Sequence, residues 1–339
     1  MKLTSLAIGC LALALCGLAT PAQENSPTMK QNTDRIALAV HGGAGTIERS
    51  KMTAEREQEY RAGIEHALRA GREILDRAGS SLDAVEAAVQ VLENDPHFNA
   101  GKGSVFTSAG TNEMDAAIMD GTLSAGAVAS VEHVRNPVVL ARAVMGKSKQ
   151  VMLVGSGAEE FARGNGIELV DAKYFFTQHR WEELQKAKAD AEGGKKFIIS
   201  EAESHGTVGA VARDTQGNMA AATSTGGTTN KLPGRVGDSP VIGAGTYANN
   251  ATCAVSCTGD GEFFIRAVVA HQVSALMELR GMSLAEAAER ALADAQKLGG
   301  TGGLIAVDKN GNVTLPFNTS GMYRGYLGED GKFVIEIYK

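Results

Sequence analysis

The stretch "SHGTVGAVARD", Ser204 to Asp214, decides how the chain is read. A strand-like run opens on Thr207, with Gly206 directly before it. Upstream lies "QKAKADAEGGKK", Gln185 to Lys196, which is charged and lacks an apolar stripe. The segment from about 185 to 206 is therefore expected to be a mobile linker. An ordinary loop-to-strand join needs no such sequence, but a chain that cuts itself between Gly206 and Thr207 does. A threonine hydroxyl is a weak nucleophile without a base beside it. If Thr207 became the first residue of a new chain, its own α-amine, titrating near ~8, would be that base. Gly206 would tolerate dihedrals that strain the bond to be broken. The plain alternative is a β-branched residue that starts a strand.

Downstream, "TVGAVARDTQGNMAAATSTGG" reads as a hairpin turning at Thr215 to Asn218. "PVIGAGTYA" and "CAVSCTG" read as strands, and "EFFIRAVVAHQVSALMELR" as one buried helix. "SLAE", Ser283 to Glu286, is a capping box. "GLIAVDKNGNVTLPFNT" is a hairpin with Asn310-Gly311 at its turn. Upstream, "RIALAVHGGAG" is an apolar strand ending in a glycine turn. Thr53 opens a helix with Ile64, Leu68 and Leu75 at helical spacing, and Ser80 or Ser81 caps a second with Val85, Val89 and Leu92. Asp95-Pro96 stops it. Short strands are expected at "GSVFT", "MDAAIMDG" and "AGAVASV". Asn136-Pro137 opens a helix, and "QVMLVGSGAEEFARGNG" is a strand passing into a helix. Strands in hairpin-like runs with helices in blocks predict an α+β fold, helices outside antiparallel sheets.

At 339 residues, 43% of them hydrophobic, the chain can build one large packed domain or two ordinary ones. A net charge of -6 with interspersed signs, and no basic patch, argues against a nucleic-acid partner. Lys2 precedes an apolar run from Leu6 to Ala19, followed by "TPAQEN", with Thr20 and Ala22 at the -3 and -1 positions. Residues 1–22 thus read as a signal peptide for export to a periplasm or the medium, with Gln23 the first mature residue and no membrane association afterwards. About 14 apolar residues are short for a membrane span. A lipoprotein is disfavoured, because Cys16 follows leucine and Cys10 leaves too short an apolar core. Export would leave Cys253 and Cys257, which lie ~13 Å apart on a strand at ~3.3 Å per residue. That is too far for a disulfide.

Several motifs fail. "MGKS", Met145 to Ser148, has Ala141 where a phosphate loop needs glycine. The seven histidines show no zinc spacing, so no catalytic metal is expected. No nucleophile elbow stands in the right context. His205 lies two residues before Thr207 and is assigned no direct role. Other signals point toward Thr207. "GRVGDSP" sets Arg235 and Asp238 three apart in a glycine-rich loop, able to clamp an α-carboxylate and an α-ammonium. "CTGDGE" follows a strand and precedes a helix, so Thr258 and the N–H of Gly259 can form an oxyanion hole. A surface salt bridge and a simple strand-to-helix turn are the bland readings of these two.

Taken together, "HGGAG", "FNAGKGSVFT", "MDAAIMDG", "RNPV", "GTVGAVARD", "ATSTGG", "NKLPGRVGDSPVIGAGTYANN", "SCTGDGE" and "PFNTSGMYRG" resemble a plant-type L-asparaginase / isoaspartyl peptidase, an N-terminal-nucleophile hydrolase. The resemblance runs from about residue 35 to 338. It implies a four-layer αββα sandwich that cuts itself into an α subunit (23–206) and a β subunit (207–339). It implies Thr207 as nucleophile, Thr225 tuning its hydroxyl, and Thr258 with Gly259 as oxyanion hole. Arg235 and the N–H of Gly261 would hold the substrate α-carboxylate, Asp238 the α-amine, and Asn99 would orient the new N-terminus. No cofactor would take part in catalysis. A structural Na+ would be wrapped by backbone carbonyls of Leu92, Glu93, Asp95, Phe98, Ala100 and Lys102. Dipeptides and L-asparagine would be the substrates, and two αβ heterodimers would form a dimer. Three features depart from the family pattern: Gly206 where many members carry Asp, Asp260 at a variable position where it could alter leaving-group preference, and the export signal. A glycosylasparaginase on the same fold and a catalytically silent binding protein are the rival readings.

Overall fold

The computed structural model describes residues 35–193 and 206–339. Residues 1–34, which include the expected signal peptide and its two cysteines, and residues 194–205 of the expected linker lie outside the described residues. The first half of the described chain runs β1 (Ala37–Gly45), α1 (Ala54–Asp76), α2 (Ser81–Asn94), β2 (Met114–Asp120), β3 (Ala125–Val131), α3 (Pro137–Lys147), β4 (Met152–Val154), α4 (Gly155–Gly164) and α5 (Gln178–Glu192). After Thr207 come β5 (Val208–Arg213), β6 (Met219–Thr225), β7 (Thr246–Ala248), β8 (Cys253–Gly259), α6 (Gly261–Ala267), α7 (Val269–Arg280), α8 (Leu284–Lys297), β9 (Gly302–Asp308), β10 (Val313–Thr314), β11 (Gly321–Leu327) and β12 (Phe333–Tyr338). One sheet has the order β12-β11-β1-β5-β6-β2-β3-β4, and a second β10-β9-β8-β7.

Side-chain parity sorts these strands into three apolar clusters. Successive strand residues point to opposite faces. In β1, Leu38 and Val40 join a cluster with Ile64, Leu68, Val85 and Val89 of α1 and α2. Ala37 and Ala39 point the other way and join Val211, Met219 and Ala221 with Ala254, Ile305 and Val307 of the second sheet. The outer face of β8 and β9, through Val255, Cys257 and Leu304, packs on Phe264, Val273, Ala288 and Leu292 of α6 to α8. Alanine dominates the cluster shared by the sheets, which is why a chain with 5% aromatics still packs densely there.

The hairpin that follows Thr207 forms as the sequence predicts. Val208 pairs with Ser224 and Arg213 with Met219. The Asp214 carboxylate closes the turn by accepting from the N–H groups of Gln216 and Asn218, both at 3.0 Å. The helix caps hold at Thr53, Ser80 and Ser283, the last as a complete capping box. Asn136 precedes α3 without capping it. Its amide is drawn to the Glu93 carboxylate instead, at 3.0 Å.

Four expectations are corrected. "GSVFT" is a loop with one isolated bridge, Thr107 to Lys231. Its N–H groups are taken locally: Val105 donates to Asn99 Oδ1 at 3.0 Å and Thr107 to the Thr111 carbonyl at 2.7 Å. Residues 185–192 are the end of α5, capped by Thr177 and anchored by buried Leu184 and Arg180, so the linker is shorter than the sequence suggests. The long apolar helix is two helices. Val268 takes a left-handed conformation (φ 51°), and α7 starts afresh because Ala270 and His271 donate to the carbonyls of Ala244 and Gly243. Of "PVIGAGTYA" only Thr246–Ala248 is strand. Strands β11 and β12, not anticipated, extend the large sheet beyond β1. Among the described residues no helix is long and apolar enough to cross a membrane.

Candidate active site

The same parity brings the candidate hydroxyls together. Thr223 and Thr225 share a face of β6 with Met219 and Ala221, the face toward the second sheet. Ser256 and Thr258 share the inward face of β8 with Ala254. Thr207, one residue before β5, is buried, and its hydroxyl donates to Thr225 Oγ1 at 3.1 Å. Thr225 also accepts from the Gly227 N–H at 3.0 Å, so its own proton remains available for a further bond.

The carbonyl of Thr207 has a different neighbour, one that sequence reasoning missed. His41 Nδ1 lies 3.0 Å from that oxygen, and its Nε2 lies 2.9 Å from Ser256 Oγ. Ser256 is 2.7 Å from Thr223 Oγ1, which accepts from Thr246 at 2.7 Å. Burial pushes the His41 imidazole down to about 3, so the ring is neutral near pH 7. A carbonyl only accepts, so Nδ1 carries the proton and Nε2 accepts from the Ser256 hydroxyl. Gly209 makes room for this chain of groups. A Cβ there would sit 2.0 Å from Ser256 Oγ and 2.5 Å from His41 Nε2. The signal available in the sequence was the histidine of "HGGAG", but its partners lie 166 and 215 residues away.

Thr258 accepts from the Ala44 N–H at 3.3 Å. Gly259 has φ 140°, and a Cβ would meet the Thr301 carbonyl at 2.3 Å, so glycine is required there. Gly261 approaches Asp238 so closely that a Cβ would lie 3.0 Å from both its N and Oδ1. Arg235 uses one edge of its guanidinium on Glu262, Nε and Nη2 each at 2.9 Å from a carboxylate oxygen. Burial raises the Asp238 carboxyl to about 6, and its Oδ2 has no partner among the described residues. A buried acceptor left open in a pocket wall marks a place for a donor. Asp260 is not among the residues lining this pocket. Its carboxylate accepts from the Thr301 N–H and hydroxyl at 2.7 and 2.9 Å, a holding contact between β8 and β9 rather than a substrate contact.

Asn99 is buried, donates to the Gly227 carbonyl at 2.7 Å and accepts from Val105. A Cβ on Gly206 would lie 3.0 Å from the Asn99 Cβ, so Asn99 backs the Gly206–Thr207 junction. Thr207, Thr225, Arg235, Asp238, Gly259 and Gly206 together line a cavity of only about 10 Å3, room for about one water. Gly206 forms part of its wall.

The Leu92–Lys102 loop turns through Gly101 at φ 50°. The Glu93 carbonyl lies 2.3 Å from where a Gly101 Cβ would be, and the Phe98 and Pro96 carbonyls lie 2.0 and 2.7 Å from a Cβ on Gly103. These glycines make room for the backbone of Glu93, Pro96 and Phe98. Backbone carbonyls are hard donors that suit hard cations, and among the described residues no group of three or more His, Cys, Asp and Glu could hold a metal ion. The Glu93 carboxylate is held by other partners. It accepts from Ser224 Oγ at 2.6 Å and from the Val138 N–H at 2.9 Å, and burial raises it to about 7.

A buried threonine at a strand start and a second hydroxyl in contact, lining one small cavity with Arg235 and Asp238, define a candidate hydrolase of the N-terminal-nucleophile class. The family model for asparaginase matches residues 34–336, and the chain belongs to that family. It is 53% identical to an isoaspartyl peptidase of Salmonella typhimurium, over 87% of this chain and 97% of the relative. It is equally similar, at 53%, to an isoaspartyl peptidase of Escherichia coli, over 87% of this chain and 94% of that one. An isoaspartyl peptidase/L-asparaginase of Mus musculus is 45% identical over 88% and 90%.

Proposed function

We propose that the chain is a self-activating amidohydrolase that releases aspartate from β-aspartyl dipeptides and from L-asparagine. The observation that carries this reading is the open, buried Oδ2 of Asp238 in the same small cavity as the Thr207–Thr225 hydroxyl pair. An α-ammonium would fill it. The guanidinium edge of Arg235 not used by Glu262 would take the α-carboxylate, with the N–H of Gly261. Only a β-linked aspartyl group has both α groups free while offering its side-chain carbonyl. The names of the relatives support the same substrates.

The mechanism has two uses for Thr207. In the uncut chain its Oγ attacks the Gly206 carbonyl, the C–N bond breaks, and the resulting ester is hydrolysed to leave a free α-amine on Thr207. In the mature site that amine takes the hydroxyl proton as Oγ attacks the β-carbonyl of the substrate. Thr258 and the Gly259 N–H receive the oxyanion. The amine then gives its proton to the departing nitrogen, and water hydrolyses the aspartyl ester. The three apolar clusters support a four-layer αββα arrangement, cut into residues 23–206 and 207–339. Carbonyls of Leu92, Glu93, Asp95, Phe98, Ala100 and Lys102 would hold a structural Na+ that shapes the loop bearing Asn99. Export, pairing of two αβ units and the absence of a cofactor in catalysis complete the proposal.

The test is direct. Denaturing gels of the purified protein should show two fragments, the smaller beginning at Thr207, and Thr207→Ala should remain one chain. The cut protein should release aspartate from β-Asp-Leu and L-asparagine, and β-Asp-Leu should be preferred over α-Asp-Leu at least tenfold, because the α-linked peptide has no free α-carboxylate for Arg235. A first residue other than Thr207, or equal rates on the two dipeptides, would overturn the reading. Preference for N-glycosylated asparagine would favour the glycosylasparaginase alternative.

A further inference from the structure

Gly206 borders two cavities and is the residue common to both linings. The first is the aspartyl pocket. The second, about 120 Å3, is walled by Gly42, Met52, Arg56, Tyr60, Asn99 and Tyr323 among others. Gly206 is therefore the partition between them in the uncut chain, and its departure joins the two.

The direction of the chemistry says what enters the second cavity. The α-amine of Thr207 appears where its bond to Gly206 was. In substrate turnover that amine must reach the departing nitrogen to protonate it. The leaving group consequently lies on the Gly206 side of Thr207, while the aspartyl half lies toward Asp238 and Arg235. For L-asparagine the leaving group is ammonia and fills nothing. For a β-aspartyl dipeptide it is an amino acid with an apolar or polar side chain and a free α-carboxylate.

Among the described residues, the charges around this second cavity leave one cation without an ion-pair partner. Lys51 pairs with Glu48 at 3.2 Å, and Arg180 with Glu183 at 2.9 Å. His97 sits between Asp95 at 2.6 Å and Glu59 at 3.3 Å, and His179 is 3.1 Å from Glu183. Arg56 touches His179 Nε2 at 3.0 Å and lies 5.9 Å from the Tyr60 ring, but has no carboxylate within ion-pair distance among the described residues. Tyr60 and Tyr323 stack at 4.1 Å beside it and offer an apolar floor. A planar cation beside an aromatic floor suits an amino acid with an apolar side chain and a free carboxylate.

We propose that this cavity is the leaving-group subsite and that Arg56 binds the α-carboxylate of the amino acid released from a β-aspartyl dipeptide. The proposal rests on the amidohydrolase reading above and deepens it. The covalent step is unchanged: the β-carbonyl C–N bond breaks, Thr207 Oγ takes the acyl group, and the leaving nitrogen takes the proton from the Thr207 ammonium. Arg56 acts on binding and adds no chemistry. It makes the site a dipeptidase by preference, since a longer or amidated leaving group presents no carboxylate there.

The experiment compares kcat/KM for β-Asp-Leu, β-Asp-Leu amide and L-asparagine in the parent protein and in Arg56→Gln. Arg56 is exposed, so the substitution leaves the core intact. The parent should favour the free acid over the amide roughly twofold to fivefold, the range for a charge pair that stays partly wet. Arg56→Gln should erase that preference and lower the ratio of β-Asp-Leu to L-asparagine by the same factor, through KM. An acid-to-amide preference that survives in Arg56→Gln, or a loss shared equally by all three substrates, would overturn the subsite. A protein that stays uncut and turns over none of the three would overturn the amidohydrolase reading and the subsite with it.

Discussion

Thr207 faces two polar surroundings that differ in one respect. On its carbonyl side, His41, Ser256, Thr223 and Thr246 form a buried chain in which every group has a partner. On its hydroxyl side the pocket contains the buried, open Oδ2 of Asp238. Both settings push an ionisable group toward its neutral form, His41 down to about 3 and Asp238 up to about 6. The first network is complete without a ligand, so its worth lies in folding and in fixing the threonine. The second keeps an acceptor without a partner, which fits the proposed binding of an ammonium there. Satisfied and unsatisfied buried polar groups thus separate scaffold from site within a few residues of each other.

The largest test of this contrast is Asp238→Asn. We expect kcat/KM on L-asparagine to fall by roughly a hundredfold or more, mainly through KM, as the ammonium loses a charged partner. Stability should hold or rise, because a buried carboxylate is removed. Loss of stability comparable to the loss of activity would erase the distinction. On the other side, His41→Leu leaves the Thr207 carbonyl without its donor and takes away the acceptor of the Ser256 hydroxyl. A cost of about 2–5 kcal/mol in urea unfolding is expected, with slower maturation. A variant as stable as the parent would show that the chain of groups is ornamental.

pH separates the two by sign. His41 is held below its unfolded value near ~6.5, so the unfolded state binds more protons and stability declines as pH falls from about 6.5 toward 3. Asp238 is held above its unfolded value near ~3.9, so it weakens the fold as pH rises from about 4 to 6. Asp238→Asn should remove that second limb and steepen the rise of stability with pH. KM for L-asparagine should also increase below about pH 6, where Asp238 becomes protonated, and Asp238→Asn should flatten that increase. The smallest effect is expected at the far end of the hydroxyl chain. Thr246→Val should cost about 1 kcal/mol and leave KM within twofold. A large change in KM would show that the chain reaches the pocket.

How much of this was legible varies by residue. Thr207, the hairpin behind it and the Arg235/Asp238 loop follow from local signals: a glycine before a strand, a turn sequence, polar residues among glycines. Residues 185–192 read as linker from sequence because Lys, Ala and Glu without an apolar stripe fit a solvated chain as well as a helix held at its other end by Leu184. The break at Val268 left no mark, because the apolar run is continuous and the loop carbonyls that restart the helix come from Gly243 and Ala244. His41 was invisible for the same reason. "HGGAG" looked like a glycine turn, whereas β1 continues through Gly45 with a bulge between His41 and Gly43. The choice between a turn and an inward-facing histidine is made by β5, β8 and β11, distant in sequence.

The strand order of the large sheet has one more consequence. β1 comes from before the Gly206–Thr207 bond, yet it lies between β11 and β5, which come from after it, while β6 lies against β2 from before. A cut at that bond would leave two polypeptides braided into one sheet. The intact chain can fold in a single-molecule process, its halves tethered. Once severed and fully unfolded, the halves would have to meet by diffusion and thread back in alternating order, so reassembly becomes concentration-dependent and slow. Activation would then work as a ratchet: the molecule folds first, becomes active second, and cannot readily retrace the path.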